Sequence, residues 1–141
     1  MASPAPLTHP AFGTLAYDES LGWYETTLAG GARLDVSTDD PADGAIRDIL
    51  DLLAERLDAL VAGAKRFASD GLRGVKNDAW LDEGEGELSD AEFQARLGLD
   101  AVSVERGGLT FWFDDGDLFW GHTVVVYADA QGAFESAEIA G

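Results

Sequence analysis

Between Phe111 and His122 the chain reads FWFDDGDLFWGH, which packs three aspartates, five aromatic side chains and a histidine into twelve residues. Asp114, Asp115 and Asp117 offer carboxylate oxygens within four residues, the ligand type that Ca²⁺ or Mg²⁺ takes. His122 adds a group able to move a proton. One reading is therefore an enzyme or small-ligand binder that uses Asp114, Asp117 and His122 with a divalent cation. The surrounding sequence argues against it. No glutamate stands where an EF-hand loop needs one. The only histidines are His9 and His122, so zinc has no His-x-x-x-His pair. No serine sits in a G-x-S-x-G context, and neither G-x-G-x-x-G nor a Walker-type loop occurs. With 27 acids some carboxylate pair is inevitable, so a pair carries no glycosidase signal. The expectation is no cofactor, no metal-ligand set and no catalysis, with Ca²⁺ or Mg²⁺ as the cofactor of the alternative.

The second chemistry open to this stretch is recognition. Asp115-Gly116 between two apolar runs predicts a two-residue type I′ hairpin. Asp114 then faces Asp117, Trp112 faces Phe119, Phe111 faces Trp120 and Leu109 faces His122. Alternation assigns Leu109, Phe111, Phe113, Leu118, Trp120, His122, Val124 and Val126 to the core face. Thr110, Trp112, Asp114, Asp117, Phe119, Thr123, Val125 and Tyr127 take the other. Rings among acids on that face predict a partner patch of Trp112, Asp114, Asp117, Phe119 and Tyr127, with His122 and Trp120 as further functional candidates. On the core face His122 reads as a packed, hydrogen-bonded histidine. Two aspartates across a hairpin repel, which a cation, a partner's basic side chain or a turn N–H capped by an aspartate can offset.

The elements that would hold this stretch follow from periodicity. Phe12–Tyr17, Trp23–Leu28 and Arg33–Ser37 read as strands of a meander, and His9-Pro10 shapes entry into the first. Asp40 with Pro41 starts a helix. Its stripe is Ile46, Ile49, Leu50, Leu53, Leu57, Leu60, Val61, Ala64 and Phe67. Gly71 is the expected stop. Leu72 to Leu81 is a separate, weaker helical piece interrupted by Gly74, and Trp80 anchors its exit by core packing. Ser89 with Glu92 forms a capping box, and Leu88 with Phe93 a staple, for a short helix through Leu97. Ala101–Arg106, Leu109–Asp114, Leu118–Ala128 and Phe134–Ile139 form a second meander. The prediction is a single α+β domain over residues 1–141, residues 1–8 being flexible. Antiparallel meanders flank a long amphipathic helix and a short one, with the helices on one face of the sheet.

Charge narrows the partners. The net charge is −18, and it is uneven. Residues 1–76 carry 12 acids and 7 bases, residues 77–141 carry 15 acids and only Arg96 and Arg106 as bases. Such a field repels nucleic acid and anionic membrane and draws basic partners. Solubility or a salty habitat would explain the same charge without any partner. The chain has no cysteine, no signal-peptide pattern and no run long enough to span a bilayer, so a cytoplasmic location is expected.

His9-Pro10-Ala11-Phe12-Gly13, Lys76 to Leu81 (KNDAWL), Phe93 to Leu99 (FQARLGL) and Asp114 to His122 (DDGDLFWGH) resemble a bacterial family of unknown function, the domain family catalogued as 2262. The likeness runs from His9 to Gly141, and DGDLFWGH is its most specific part. The resemblance implies a small cytoplasmic bacterial domain and brings no activity with it. Charge and the aromatic face together lead to a non-enzymatic, acidic protein-binding domain. An immunity-type neutraliser of a basic protein is its most specific form.

Overall fold

The computed structural model describes residues 5–141. Eight strands form one sheet in sequence order: β1 (Leu7–His9), β2 (Gly13–Asp18), β3 (Trp23–Thr27), β4 (Arg33–Val36), β5 (Gly98–Glu105), β6 (Gly108–Asp114), β7 (Thr123–Asp129) and β8 (Phe134–Ala140). Neighbours pair antiparallel except β4 and β5, which run parallel with Leu34 opposite Val102 and Val36 opposite Val104. A parallel pair needs a crossover. Here it is helical: α1 (Gly44–Ala79), then α2 (Asp90–Arg96). The fold is thus α+β, two antiparallel meanders joined at one parallel seam. Residues 1–4 of the expected flexible N-terminus lie outside the described residues. Leu7 and Thr8 do not fit that expectation, because they pair with Leu15 and Thr14 and Leu7 is buried in the core.

The alternating pattern places Leu34, Val36, Val102, Val104, Leu109, Phe111, Phe113, Val124 and Val126 under α1, all buried. The α1 stripe from Ile46 to Phe67 meets them. Three details differ from the sequence expectation. The N-cap is Asp43, which accepts from the Ala45 N–H, whereas Asp40 caps only the preceding turn at Ala42. The helix runs through Gly71 and Gly74 without stopping and instead breaks regular geometry at Arg56 (φ −128°, ψ 22°). Each internal glycine costs about 1 kcal/mol relative to alanine. Tertiary contacts offset that cost: Leu72 and Lys76 are buried, Ser69 and Arg73 both donate to Asp90, and Asn77 holds the Leu88 backbone by both its N–H and its C=O. The Ser89/Glu92 capping box of α2 forms as its spacing predicts.

No helix among the described residues is long and apolar enough to cross a membrane. Both helices pack on one side of the sheet, so the other side of β3–β8 carries no helical layer. On that open side Trp112 sits in register between Ala101 and Val125, both buried although no helix covers them.

Candidate functional site

The DDGDLFWGH stretch does not form a two-residue hairpin. Strand β6 ends at Asp114, which pairs with Thr123, and Trp112 faces Val125 rather than Phe119. Residues 115–122 form a loop whose centre is the Asp115 side chain. That carboxyl group is fully buried and accepts four backbone N–H bonds: Oδ1 from Asp117 (2.9 Å), and Oδ2 from Phe119 (2.9 Å), Gly121 (3.1 Å) and His122 (3.0 Å). An aspartate capping turn N–H groups is the mild resolution anticipated for this hairpin, but Asp115 does it and the whole loop wraps around it. The predicted Asp114–Asp117 facing pair does not exist.

Wrapping the loop on one carboxyl group forces tight backbone geometry. Asp117 and Trp120 take φ of 64° and 59°, a region costly for side chains other than glycine. The Trp120 N–H reaches the Asp117 carbonyl at 3.4 Å, closing a turn with these two residues at its ends. Gly116 (φ 55°) lies so close to α2 that a Cβ there would sit 2.3 Å from the Arg96 carbonyl oxygen. Phe119 turns inward, fully buried, against Trp80 (5.6 Å) and Phe93 (6.1 Å). Trp120 turns outward and is 57% exposed. Two expectations are therefore corrected. Phe119 belongs to the core rather than the partner patch, and Trp120 belongs to the surface rather than the core. The changed loop register reverses both.

Trp80, at the end of α1, is the hub of this corner. Its indole lies 4.7 Å from the Trp120 ring and 5.4 Å from the His122 ring. The hub is fixed from below by ion pairs. Lys76, with no exposed surface, donates to the Trp80 carbonyl and to Glu85 (2.7 Å). Glu85 also pairs with Arg96 (3.1 Å), and Arg96 donates onward to the Gly116 carbonyl in the loop. The Lys76 ammonium, the Asp82 N–H and the Arg96 guanidinium hold the Glu85 carboxyl down at about 2. The chain Lys76–Glu85–Arg96–Gly116 ties α1, the acidic loop, α2 and the 115–122 loop into one unit. Sequence reasoning gave Lys76, Glu85, Arg96 and Asp115 no site role and Trp80 only a packing one. Lys76 and Trp80 lie in KNDAW, Arg96 in FQARLGL and Asp115 in DDGDLFWGH, separate blocks that the fold brings together, whereas Glu85 lies in the acidic loop between them and carried no signal of its own.

His122 is half-buried, and its Nδ1 lies 2.5 Å from the Phe119 carbonyl. A carbonyl only accepts, so Nδ1 carries a proton, and in the neutral ring Nε2 holds the lone pair. Among the described residues no buried side-chain nitrogen or oxygen lacks a partner. Nε2, which has none, therefore reaches solvent. His9 is read the same way. Its Nδ1 accepts from the Ala11 N–H (3.0 Å), so Nε2 donates to Asp51 (2.8 Å), which pins the entry to β2 onto α1.

The remaining predicted patch residues separate. Trp112, Tyr127 and Asp114 share the open side of the sheet, while Asp117 lies in the loop. The Trp112 indole donates to Ser103 (2.9 Å) and the Tyr127 hydroxyl to Glu138 (2.6 Å), and both rings are half-buried on their own sheet. Among the described residues no three His, Asp or Glu side chains, Asp114, Asp117 and His122 included, are placed to hold a metal ion together.

No curated protein and no solved structure matches the chain. Residues 9–139 match the family described as "Uncharacterized protein conserved in bacteria (DUF2262)". That span takes in all the strands from β2 to β7 and both helices, and the chain belongs to this bacterial family.

Proposed function

We propose that this domain is a non-enzymatic binding module for a basic protein, and that the Trp120 corner is its contact point. The observation that carries the reading is Trp120 itself: a large aromatic side chain, more than half exposed, held outward by a loop with strained backbone. Strain of this kind persists where function needs it. Tryptophan is among the residue types enriched at the energetic centres of interfaces. Four N–H bonds to Asp115 and the Lys76–Glu85–Arg96 chain supply the frame, so little ordering cost remains for binding. Exposed Asp78, Asp82, Glu83 and Asp117 flank Trp80 and Trp120 in sequence, within the more acidic half of the chain. Such charge speeds encounter with a cationic surface and disfavours anionic ones. In the immunity-type form of the reading, the domain covers a cationic functional site on a toxin inside the bacterial cytoplasm.

The test is affinity capture from extract of the source bacterium at low and high salt, with wild type and Trp120→Ala side by side. The expected result is a basic protein retained at low salt by wild type only. That protein, once purified, should bind directly in calorimetry and lose about tenfold or more in affinity with Trp120→Ala, as hot-spot truncations do. Retention that ignores both salt and Trp120, or no retained protein at all, would overturn the reading.

A further inference from the structure

We infer that the Trp120 corner recognises an arginine side chain of the partner; this rests on the binding reading above and assigns the chemistry of its central contact. Three groups define what fits. The Trp120 indole packs against Trp80 yet stays more than half exposed, which leaves aromatic surface open to a cation. Asp117 leaves from the other end of the same turn and is exposed, without an ion-pair partner among the described residues. In its neutral form His122 presents Nε2 as a hydrogen-bond acceptor, because its Nδ1 proton is committed to the Phe119 carbonyl.

The rings of Trp120 and His122 both contact Trp80, at 4.7 and 5.4 Å between centroids, so the indole and the imidazole acceptor belong to one corner. A ligand for this set is flat, positively charged and rich in N–H donors. A guanidinium meets all three conditions. It stacks on an indole, forks toward a carboxylate and has N–H groups left for an imidazole nitrogen. An ammonium satisfies the charge but neither stacks nor spans two acceptors in a plane. A carboxylate or phosphate would meet the like charge of Asp117, which disfavours it. The free lone pair on His122 is the discriminating feature, since a purely electrostatic patch has no use for a neutral acceptor.

The probe is N-acetyl-arginine amide, compared with N-acetyl-lysine amide at equal ionic strength. Both are titrated into the full chain while the Trp80 and Trp120 indole N–H signals are followed by NMR. The expected result is shifts at Trp120, with arginine favoured about fivefold over lysine by its planar, two-acceptor contact. His122→Asn keeps a donor for the Phe119 carbonyl but removes Nε2, and should bring the two probes to similar affinity. Asp117→Asn, at an exposed position, should weaken both probes and leave the indole spectrum of the free protein unchanged. Equal affinity for the two probes in wild type, or an arginine preference that survives His122→Asn, overturns the assignment. If the basic partner depends on Trp120 while neither probe shifts its signal, the arginine assignment falls and the protein-binding reading stands. If no Trp120-dependent partner exists, the binding reading itself falls.

Discussion

Replacing Asp115 tests the central claim about the loop, that one buried side chain organises it. In Asp115→Ala the N–H groups of Asp117, Phe119, Gly121 and His122 lose their acceptor together. The donors are not equivalent. Phe119 is fully buried, and its N–H is left without any partner, costing about 1–3 kcal/mol. Asp117 and Gly121 are exposed and His122 is half-buried, so water can reach their N–H groups and each lost bond costs about 0.5–1.5 kcal/mol. The expected destabilisation is about 2.5–7.5 kcal/mol, a large share of the about 5–15 kcal/mol that holds a domain folded. Asp115→Asn is the sharper comparison. Its amide oxygen can occupy the Oδ2 position, which serves three donors, while its NH₂ group faces only the Asp117 N–H. That variant should lose about 1–2 kcal/mol. Urea unfolding followed by tryptophan fluorescence measures both, with an unchanged m-value marking a pure stability change. A loss under about 1 kcal/mol for Asp115→Ala, or equal losses for the two variants, would refute the claim that the carboxyl group is the loop's organising acceptor.

Further outcomes follow from the same geometry. Gly116→Ala places a Cβ 2.3 Å from the Arg96 carbonyl and strains a positive φ, so it should cost about 3 kcal/mol or more in urea unfolding and loosen α2 in hydrogen exchange. Glu85 is held at about 2 against an ordinary glutamate value of 4.5. A lowered folded pKa gives stability that is present above the unfolded value and lost as pH falls through the folded one. Wild type should therefore lose stability relative to Glu85→Gln as pH drops from about 4.5 to about 2, and a constant difference across that window would contradict the Lys76–Glu85 contact. His9→Ala removes both the Ala11 and the Asp51 bond and a buried ring, and should cost about 2–3 kcal/mol with the m-value unchanged in the same urea assay.

Much of the fold was legible in the sequence because its signals are local. Trp23–Thr27, Arg33–Val36 and Gly108–Asp114 follow two-residue alternation, and α1 follows helical spacing from Ile46 to Phe67. The Ser89/Glu92 capping box is decided within four residues and forms as written. Where local rules compete with distant contacts, local rules lose. Gly71 and Gly74 read as helix breakers, yet α1 passes through both because Ser69, Arg73 and Asn77 are bonded to residues 88–90. Asp-Gly reads as a two-residue turn, yet Asp115 is drawn into the core and the loop expands to eight residues around it.

The sequence alone determined the α+β class, the helix stripe and the acidic balance. These depend on composition and on periods of two and 3.6 residues, which neighbours along the chain suffice to define. Tertiary structure alone decided that Lys76, Trp80, Glu85, Arg96 and Asp115 form one unit, that Phe119 faces in and that Trp120 faces out. Each depends on a contact between segments that are remote in sequence. In this loop the change of register reverses the sides to which Phe119 and Trp120 point. The site is a property of that register, and the register is set by where a single buried carboxyl group finds its four donors.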